Sequence, residues 1–289
     1  MGLLLYVLHR LPKRLAEALM RSLAWLAWIL GVRRAVARQS LTTAFPELSE
    51  AERLRLARRN YLHLGTCAAD FLRSPGLKDE ELRALVDPGD WAKIEPYLRE
   101  KKGFIAATAH FGNFELFGVY AARQGAPLAI LTRVLKGAAN ARWVRTRALA
   151  GIREIHKGWD NLFQSVESGE ALALLIDQNM LLKRAVFVPF FGRIAATTPA
   201  PAVVAEKTGA PVFLALMPRK DDGTYRVVID GPFHFERRSD DRQQDILAFT
   251  AMLNERLEAR IREHPEQWFW LHRRWKTRPP EESEVATAA

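Results

Sequence analysis

The segment Ala106-Ala107-Thr108-Ala109-His110-Phe111-Gly112-Asn113-Phe114-Glu115 sets an imidazole and a carboxylate five residues apart, behind a run of small and apolar residues. A histidine held by a carboxylate is a poised general base. The carboxylate fixes the tautomer and stabilises the imidazolium that forms when the ring takes a proton. If the whole segment were one helix, the offset would leave the two side chains roughly 140° apart and they would not meet. A strand ending at His110, a turn at Gly112 and a helix capped by Asn113 let Glu115 fold back towards the ring. No nucleophilic serine or cysteine stands in this loop, and Cys67 lies in a helical stretch well upstream. The chemistry read from these residues is direct: His110 deprotonates a hydroxyl, which attacks an activated carbonyl in one step. Spacing alone leaves a structural histidine at a strand end as the other reading. A zincin-type metal site is excluded, because no two histidines stand four apart on a helix.

The elements that must hold these groups belong to a chain of 289 residues, 48% hydrophobic and 26% charged, which has enough apolar material for a sizeable core. One cysteine rules out a disulfide framework and any multi-cysteine metal site, and indicates a reducing compartment. Lys and Arg number 43 against 33 acidic residues, a net charge of +10, which favours an anionic partner. Nucleic acid, an acidic protein, a phosphorylated ligand and an anionic membrane all fit that charge.

Ser49-Glu50-Ala51-Glu52 is a capping box opening a helix that runs to about Arg73 and ends at Ser74-Pro75-Gly76. From Gly103 onwards, short apolar runs at Phe104–Ala109, Pro127–Thr132, Ala171–Ile176 and Pro211–Met217 alternate with helical stretches. A turn signal at Asp221-Asp222-Gly223 makes Tyr225–Ile229 an edge hairpin partner, and a long helix occupies about Asp241–Glu263. This alternation indicates an α/β fold with a mixed, largely parallel sheet flanked by helices. Ahead of it, residues 1–34 carry two apolar runs broken by Arg10, Lys13 and Arg14 and flanked by Arg33 and Arg34. Neither run reaches the ~20 residues of a membrane span. The segment therefore reads as a helical interfacial anchor, with Trp25 and Trp28 at headgroup level. An amphipathic helix packed on the protein's own core is the alternative. Residues 35–280 form the α/β domain, and 281–289 a disordered tail.

His110-Phe111-Gly112-Asn113-Phe114-Glu115 resembles the H-x4-D/E signature of the lysophospholipid acyltransferase superfamily, and more specifically the lipid A late acyltransferases of Gram-negative bacteria. Ser40-Leu41-Thr42-Thr43-Ala44-Phe45-Pro46 is similar to that family's amino-terminal block. Asp177-Gln178, Val186–Gly192 and Ala196-Thr197-Thr198 are similar to its central block, and His264–Pro279 to its carboxyl-terminal signature. The resemblance implies transfer of a fatty acyl chain from acyl carrier protein to a hydroxyl of a lipid A precursor. It implies the cytoplasmic face of the inner membrane, an anionic membrane surface as a partner, and no metal or organic cofactor. It makes His110 the base and Glu115 its partner. A lysophospholipid or another hydroxylated lipid is the second acceptor, and a non-catalytic basic membrane- or nucleic-acid-binding protein the reading from another class.

Arg133, Arg145 and Arg147 fall where the family carries arginines, and guanidinium forks suit phosphate oxygens of a headgroup or a phosphopantetheine arm. A solvated helix face is their other reading. Asp177 and Gln178 end a strand, where they can orient the acceptor or a base, or cap a turn. Phe187, Pro189, Phe190 and Phe191 read as channel lining or as core. His272, Arg273, Arg274, Lys276 and Arg278, interleaved with Trp268, Trp270 and Trp275, suit bases and phosphates, a membrane interface or an acidic carrier. The resemblance disfavours nucleic acid.

Overall fold

The computed structural model describes residues 11–132 and 137–280. The tail at 281–289, the first ten residues of the expected anchor and Arg133 lie outside the described residues. Ten strands occur among those described: β1 (Val86–Asp87), β2 (Phe104–Thr108), β3 (Leu128–Leu131), β4 (Arg153–Ile155), β5 (Ala171–Leu175), β6 (Val186–Phe190), β7 (Arg193–Thr197), β8 (Val212–Leu216), β9 (Tyr225–Arg226) and β10 (Val228–Phe233). Six form the main sheet, in the order β10-β8-β2-β5-β3-β4. All its pairs are parallel except β10 against β8, so the sheet is mixed and largely parallel, as its alternating sequence indicates.

Side-chain alternation along β2 divides the core. Ile105, Ala107 and Ala109 join the cluster holding Val204, Leu253, Leu257 and Ile261 from the helices Ala200–Thr208 and Arg242–Glu263. Phe104 and Ala106 face the opposite cluster, with Phe117, Tyr120 and Ala121 of the helix Phe114–Arg123. A period of two along the strand is what puts a helix layer on each face.

The helix Glu50–Arg73 begins with the expected capping box: Glu52 N–H donates to Ser49, and Ser49 N–H to Glu52. Against it lies the helix Lys13–Ile29. At Gly65 an added Cβ would stand 2.7 Å from Met20 O, so only glycine permits this approach. Trp25 lies under the Arg58 guanidinium at 4.4 Å and Trp28 meets Tyr61 at 5.3 Å. Both tryptophans are half-buried against the helix Glu50–Arg73. One face of this helix follows the self-packing alternative, while Leu15, Leu23, Leu26, Ile29 and Leu30 stay exposed on the other. No single described helix is long and apolar enough to cross a membrane. The pair Lys13–Ile29 and Arg34–Ala44 qualifies by length and composition together, with an 87° bend between them.

Burial decides two sequence readings. Phe187, Pro189, Phe190 and Phe191 lie in the first strand and turn of the β6–β7 hairpin, whose turn residues Phe191 and Gly192 have φ of 52° and 67°, and Phe190 and Phe191 follow the core alternative. Phe190 and Phe191 are buried among Trp268, Trp270 and Trp275, and Pro189 faces outward. Of the carboxyl-terminal Trp/Arg run, Trp268, Trp270, Trp275 and Arg274 are interior, while Arg273 and Lys276 stay exposed. Trp270 Nε1 donates to Pro265 O at 2.6 Å and Trp275 Nε1 to Phe190 O at 3.3 Å. Arg274 is 0% exposed, bonded to Ala196 O and Thr197 Oγ1. Burying those indoles and that guanidinium removes them from any surface on which bases, lipid or carrier would sit.

Candidate active site

The register of β2 and β5 builds the site. Thr108 stands opposite Leu175, and Ile176 N–H donates to Thr108 O at 3.0 Å. Two residues beyond each of that pair come His110 and Asp177, side by side at the carboxyl ends of adjacent parallel strands, where α/β folds collect their ligands. Asp177 Oδ1 lies 2.9 Å from His110 Nδ1, and Oδ2 accepts the backbone N–H of His110 at 2.9 Å and the Trp268 indole N–H at 2.8 Å. Burial works against its charge, but the His110 ring, its two hydrogen bonds and Trp268 outweigh that and hold the carboxyl below its usual range. An ionised carboxylate only accepts, so His110 carries its proton on Nδ1 and turns the Nε2 lone pair outward. Gln178 Nε2 lies 3.1 Å from that nitrogen. The ring is 18% exposed and flanked by Phe114 and Phe269, so it is held but reachable.

The strand–turn–helix junction is as expected. At Gly112, φ is +59° and a Cβ would stand 2.1 Å from Met217 O, so the turn requires glycine. Asn113 Oδ1 caps the helix through Leu116 N–H. The carboxylate on the imidazole, however, is that of Asp177 and not that of Glu115. Glu115 instead forms a bidentate pair with Arg147 (Nε to Oε2 at 2.9 Å, with Nη2 on Oε1), and Arg147 Nη1 donates to Glu154 at 3.1 Å. The pair is mostly buried. Arg147 belongs to the helix Ala138–Leu149, and its guanidinium fork claims both carboxylate oxygens of Glu115. Burial opposes the charge of Arg147, but the two glutamates outweigh it and raise its pKa. With both forks occupied, Arg147 is not a free phosphate ligand, whereas Arg145 is exposed on the same helix.

Sequence reasoning missed the polar face of the helix Glu50–Arg73. Asn60 Nδ2 donates to Trp268 O, and His63 Nε2 and Cys67 Sγ stand 3.4 Å from Gly112 O. Asp70 accepts from Tyr225, whose hydroxyl also takes an Asn113 N–H. These side chains carry the turn. The signal was there: polar residues at 60, 63, 67 and 70 repeat at helical spacing beside the apolar face. Cys67, far away in sequence, thus lies under the turn, but burial raises its thiol pKa and disfavours a thiolate.

His63 gives the protein an acid sensitivity. Burial lowers its pKa from 6.5 to about 4, and His272 is lowered to about 4 for the same reason. Between those values the unfolded chain binds the protons and the folded one does not, so stability falls as pH falls through that window. The urea midpoint should drop from neutral pH towards pH 4, with a shallower slope for His63→Gln; an unchanged slope would assign the effect to other groups.

An apolar cavity of about 60 Å³ lies between β2 and the helix Phe114–Arg123, walled by Ala106, Thr108, Phe114, Phe117 and Gly118. From Thr108, two residues before His110, its lining reaches Phe104 at the other end of the strand, about 13 Å away by strand rise. Small side chains under a helix make this space. Among the described residues, no three His, Cys, Asp or Glu side chains gather as a metal site.

The family model described as bacterial lipid A biosynthesis acyltransferase matches residues 2–277. The chain is 29% identical over 259 residues to a lipid A biosynthesis palmitoleoyltransferase of Escherichia coli (strain K12), covering 88% of this chain and 82% of the relative. It is 26% identical over 288 residues to a lipid A biosynthesis lauroyltransferase of the same organism, covering 95% and 90%. It is 24% identical over 213 residues to a phosphatidylinositol mannoside acyltransferase of Mycolicibacterium smegmatis (strain ATCC 700084 / mc(2)155), covering 71% and 67%. A match of this extent excludes a merely basic binding protein: the chain belongs to the bacterial lipid A biosynthesis acyltransferases, enzymes that transfer acyl groups.

Proposed function

We propose that this enzyme moves a fatty acyl chain from an acyl carrier protein thioester to a hydroxyl of a lipid A precursor, with His110 as general base. The observation that carries the reading is the His110–Asp177 pair at the carboxyl edge of the sheet, with Nε2 left as the proton acceptor. His110 Nε2 takes the acceptor hydroxyl's proton while the oxygen attacks the thioester carbonyl carbon. The C–S bond then breaks, the proton passes from the imidazolium to the departing thiolate, and an ester and a free thiol leave. Asp177 fixes the tautomer and steadies the cationic ring. Glu115 serves through Arg147, tying the first turn after the base to the helix that carries Arg145. Arg145 and Arg133 are the arginines assigned to headgroup or phosphopantetheine phosphate.

The acyl chain enters beside Thr108 and Phe114. A cavity of about 60 Å³ admits only a few methylene groups, so a full chain requires Phe114 and Phe117 to give way. The net charge of +10 suits an acidic carrier and an anionic membrane. The exposed arc of Leu15, Leu23, Leu26, Ile29 and Leu30, bordered by Arg14, Arg21, Arg33 and Arg34, suits a helix lying on the cytoplasmic face of the inner membrane. A lysophospholipid or other hydroxylated lipid is the second acceptor, favoured by the named acceptor of the Mycolicibacterium relative. The test is purified protein with acyl carrier protein thioesters and three acceptors: a lipid A precursor, lysophosphatidic acid and a phosphatidylinositol mannoside. Ester is expected on the lipid A precursor; transfer confined to another acceptor would move the assignment to that lipid.

A further inference from the structure

We infer that Gln178 is a catalytic residue of this transfer, its side-chain amide N–H holding the negative charge that develops on the thioester oxygen. The inference rests on the acyl-transfer reading above and adds the electrophilic half of the site. A base alone leaves the tetrahedral oxyanion unsolvated, and in a partly buried site that charge needs preorganised donors.

Six backbone N–H groups around the base are already engaged. Phe111 N–H is spent on Ala109 O at 2.7 Å, Gly112 N–H on Gln267 O at 3.1 Å and Asn113 N–H on Met217 O at 3.0 Å. His110 N–H is held by Asp177, Asn179 N–H by His272 Nε2 at 2.9 Å, and Phe269 N–H by His110 O at 3.0 Å. Every one of these amides is turned into the fold. Of the side chains, Thr108 has its hydroxyl buried without a hydrogen-bond partner, but it stands in the wall of the apolar cavity. Gln178 is the donor already on the base.

Its direction follows from the tautomer. Asp177 fixes the proton on Nδ1, so Nε2 is an acceptor, and the group 3.1 Å away must be the amide nitrogen. In the enzyme without substrate, Gln178 therefore occupies the lone pair that the acceptor hydroxyl needs. When the hydroxyl docks, it displaces that N–H. The hydroxyl oxygen is then held within hydrogen-bond reach of Nε2 and attacks a carbon about 3 Å from itself. The freed amide is left beside the carbonyl oxygen, where it donates as C–O⁻ forms and is released when the C–S bond breaks. No proton is transferred to or from Gln178.

The test compares full-chain wild type, Gln178→Ala, Gln178→Glu and His110→Ala in two assays with the same acyl carrier protein thioester. In transfer to the lipid acceptor, both Gln178 variants should lose about 10²–10³ in kcat, because Glu keeps the shape but has no N–H. The KM for thioester and acceptor should stay within about threefold. In hydroxylaminolysis of the thioester the nucleophile needs no base, so His110→Ala should keep the enzyme-stimulated rate and the Gln178 variants should lose it. A Gln178→Glu protein as active as wild type, or a loss confined to KM, overturns the inference while wild-type turnover keeps the acyl-transfer reading. A wild type that transfers from no thioester overturns both.

Discussion

Replacing His110 by alanine lowers kcat for acyl transfer by about 10²–10⁴ while the protein still folds. The rate loss follows from Nε2 being the one proton acceptor that Asp177 orients outward from the carboxyl edge of the sheet. The fold survives because the variant retains most of what satisfies the buried carboxylate. Asp177 keeps the backbone N–H at position 110 and the Trp268 indole, and loses only the ring contact. One hydrogen bond to a charged group costs about 1.5–3 kcal/mol, which lowers a melting temperature without unfolding a domain. Melting curves and initial rates on the same preparation check both halves. A variant as active as wild type would remove His110 from the chemistry, and a variant that does not fold would make the ring structural.

What the chain discloses before folding divides by the range of the interaction. The strand–turn–helix at Ala106–Glu115 is legible because its signals are local: small residues, Gly112 where φ must be positive, and Asn113 at a cap. The capping box at Ser49 and the alternation that gives a parallel sheet are legible for the same reason. The partner of His110 is not, since Asp177 comes 67 residues later and reaches the ring through the Thr108–Leu175 register, which no single-strand pattern contains. Glu115 lies five positions from the base and looks like the nearer choice, yet chain proximity yields to Arg147, 32 residues on. Composition also misleads where burial decides. Trp268, Trp270, Trp275 and Arg274 have the make-up of a binding surface and the position of a core, with Trp268 turned to the carboxylate of the site. The β6–β7 hairpin escapes notice because its turn includes Phe191, an aromatic residue at positive φ whose ring is held by Phe45 and Trp270.

Asp177→Asn is expected to cost about 10³–10⁴ in kcat, more than a lost charge contributes, because it reverses the tautomer of the base. The carboxylate accepts three N–H groups on its two oxygens: His110 N, His110 Nδ1 and Trp268 Nε1. An asparagine has one acceptor oxygen and an NH₂ that must face a donor or the ring. Keeping the backbone and indole bonds on the oxygen turns the NH₂ to Nδ1, which then accepts, so the ring proton moves to Nε2 and the lone pair needed by the substrate hydroxyl disappears. Nitrogen-15 NMR of the imidazole reads this directly: Nδ1-protonated in wild type, Nε2-protonated in Asp177→Asn. Glu115→Gln is the discriminating control, since Arg147 retains Glu154 and nothing in that trio bonds to the ring. It should leave the tautomer as in wild type. If Glu115→Gln switches the tautomer and Asp177→Asn does not, the orienting carboxylate is the one in the helix, and the register of β2 and β5 plays no part in aiming the base.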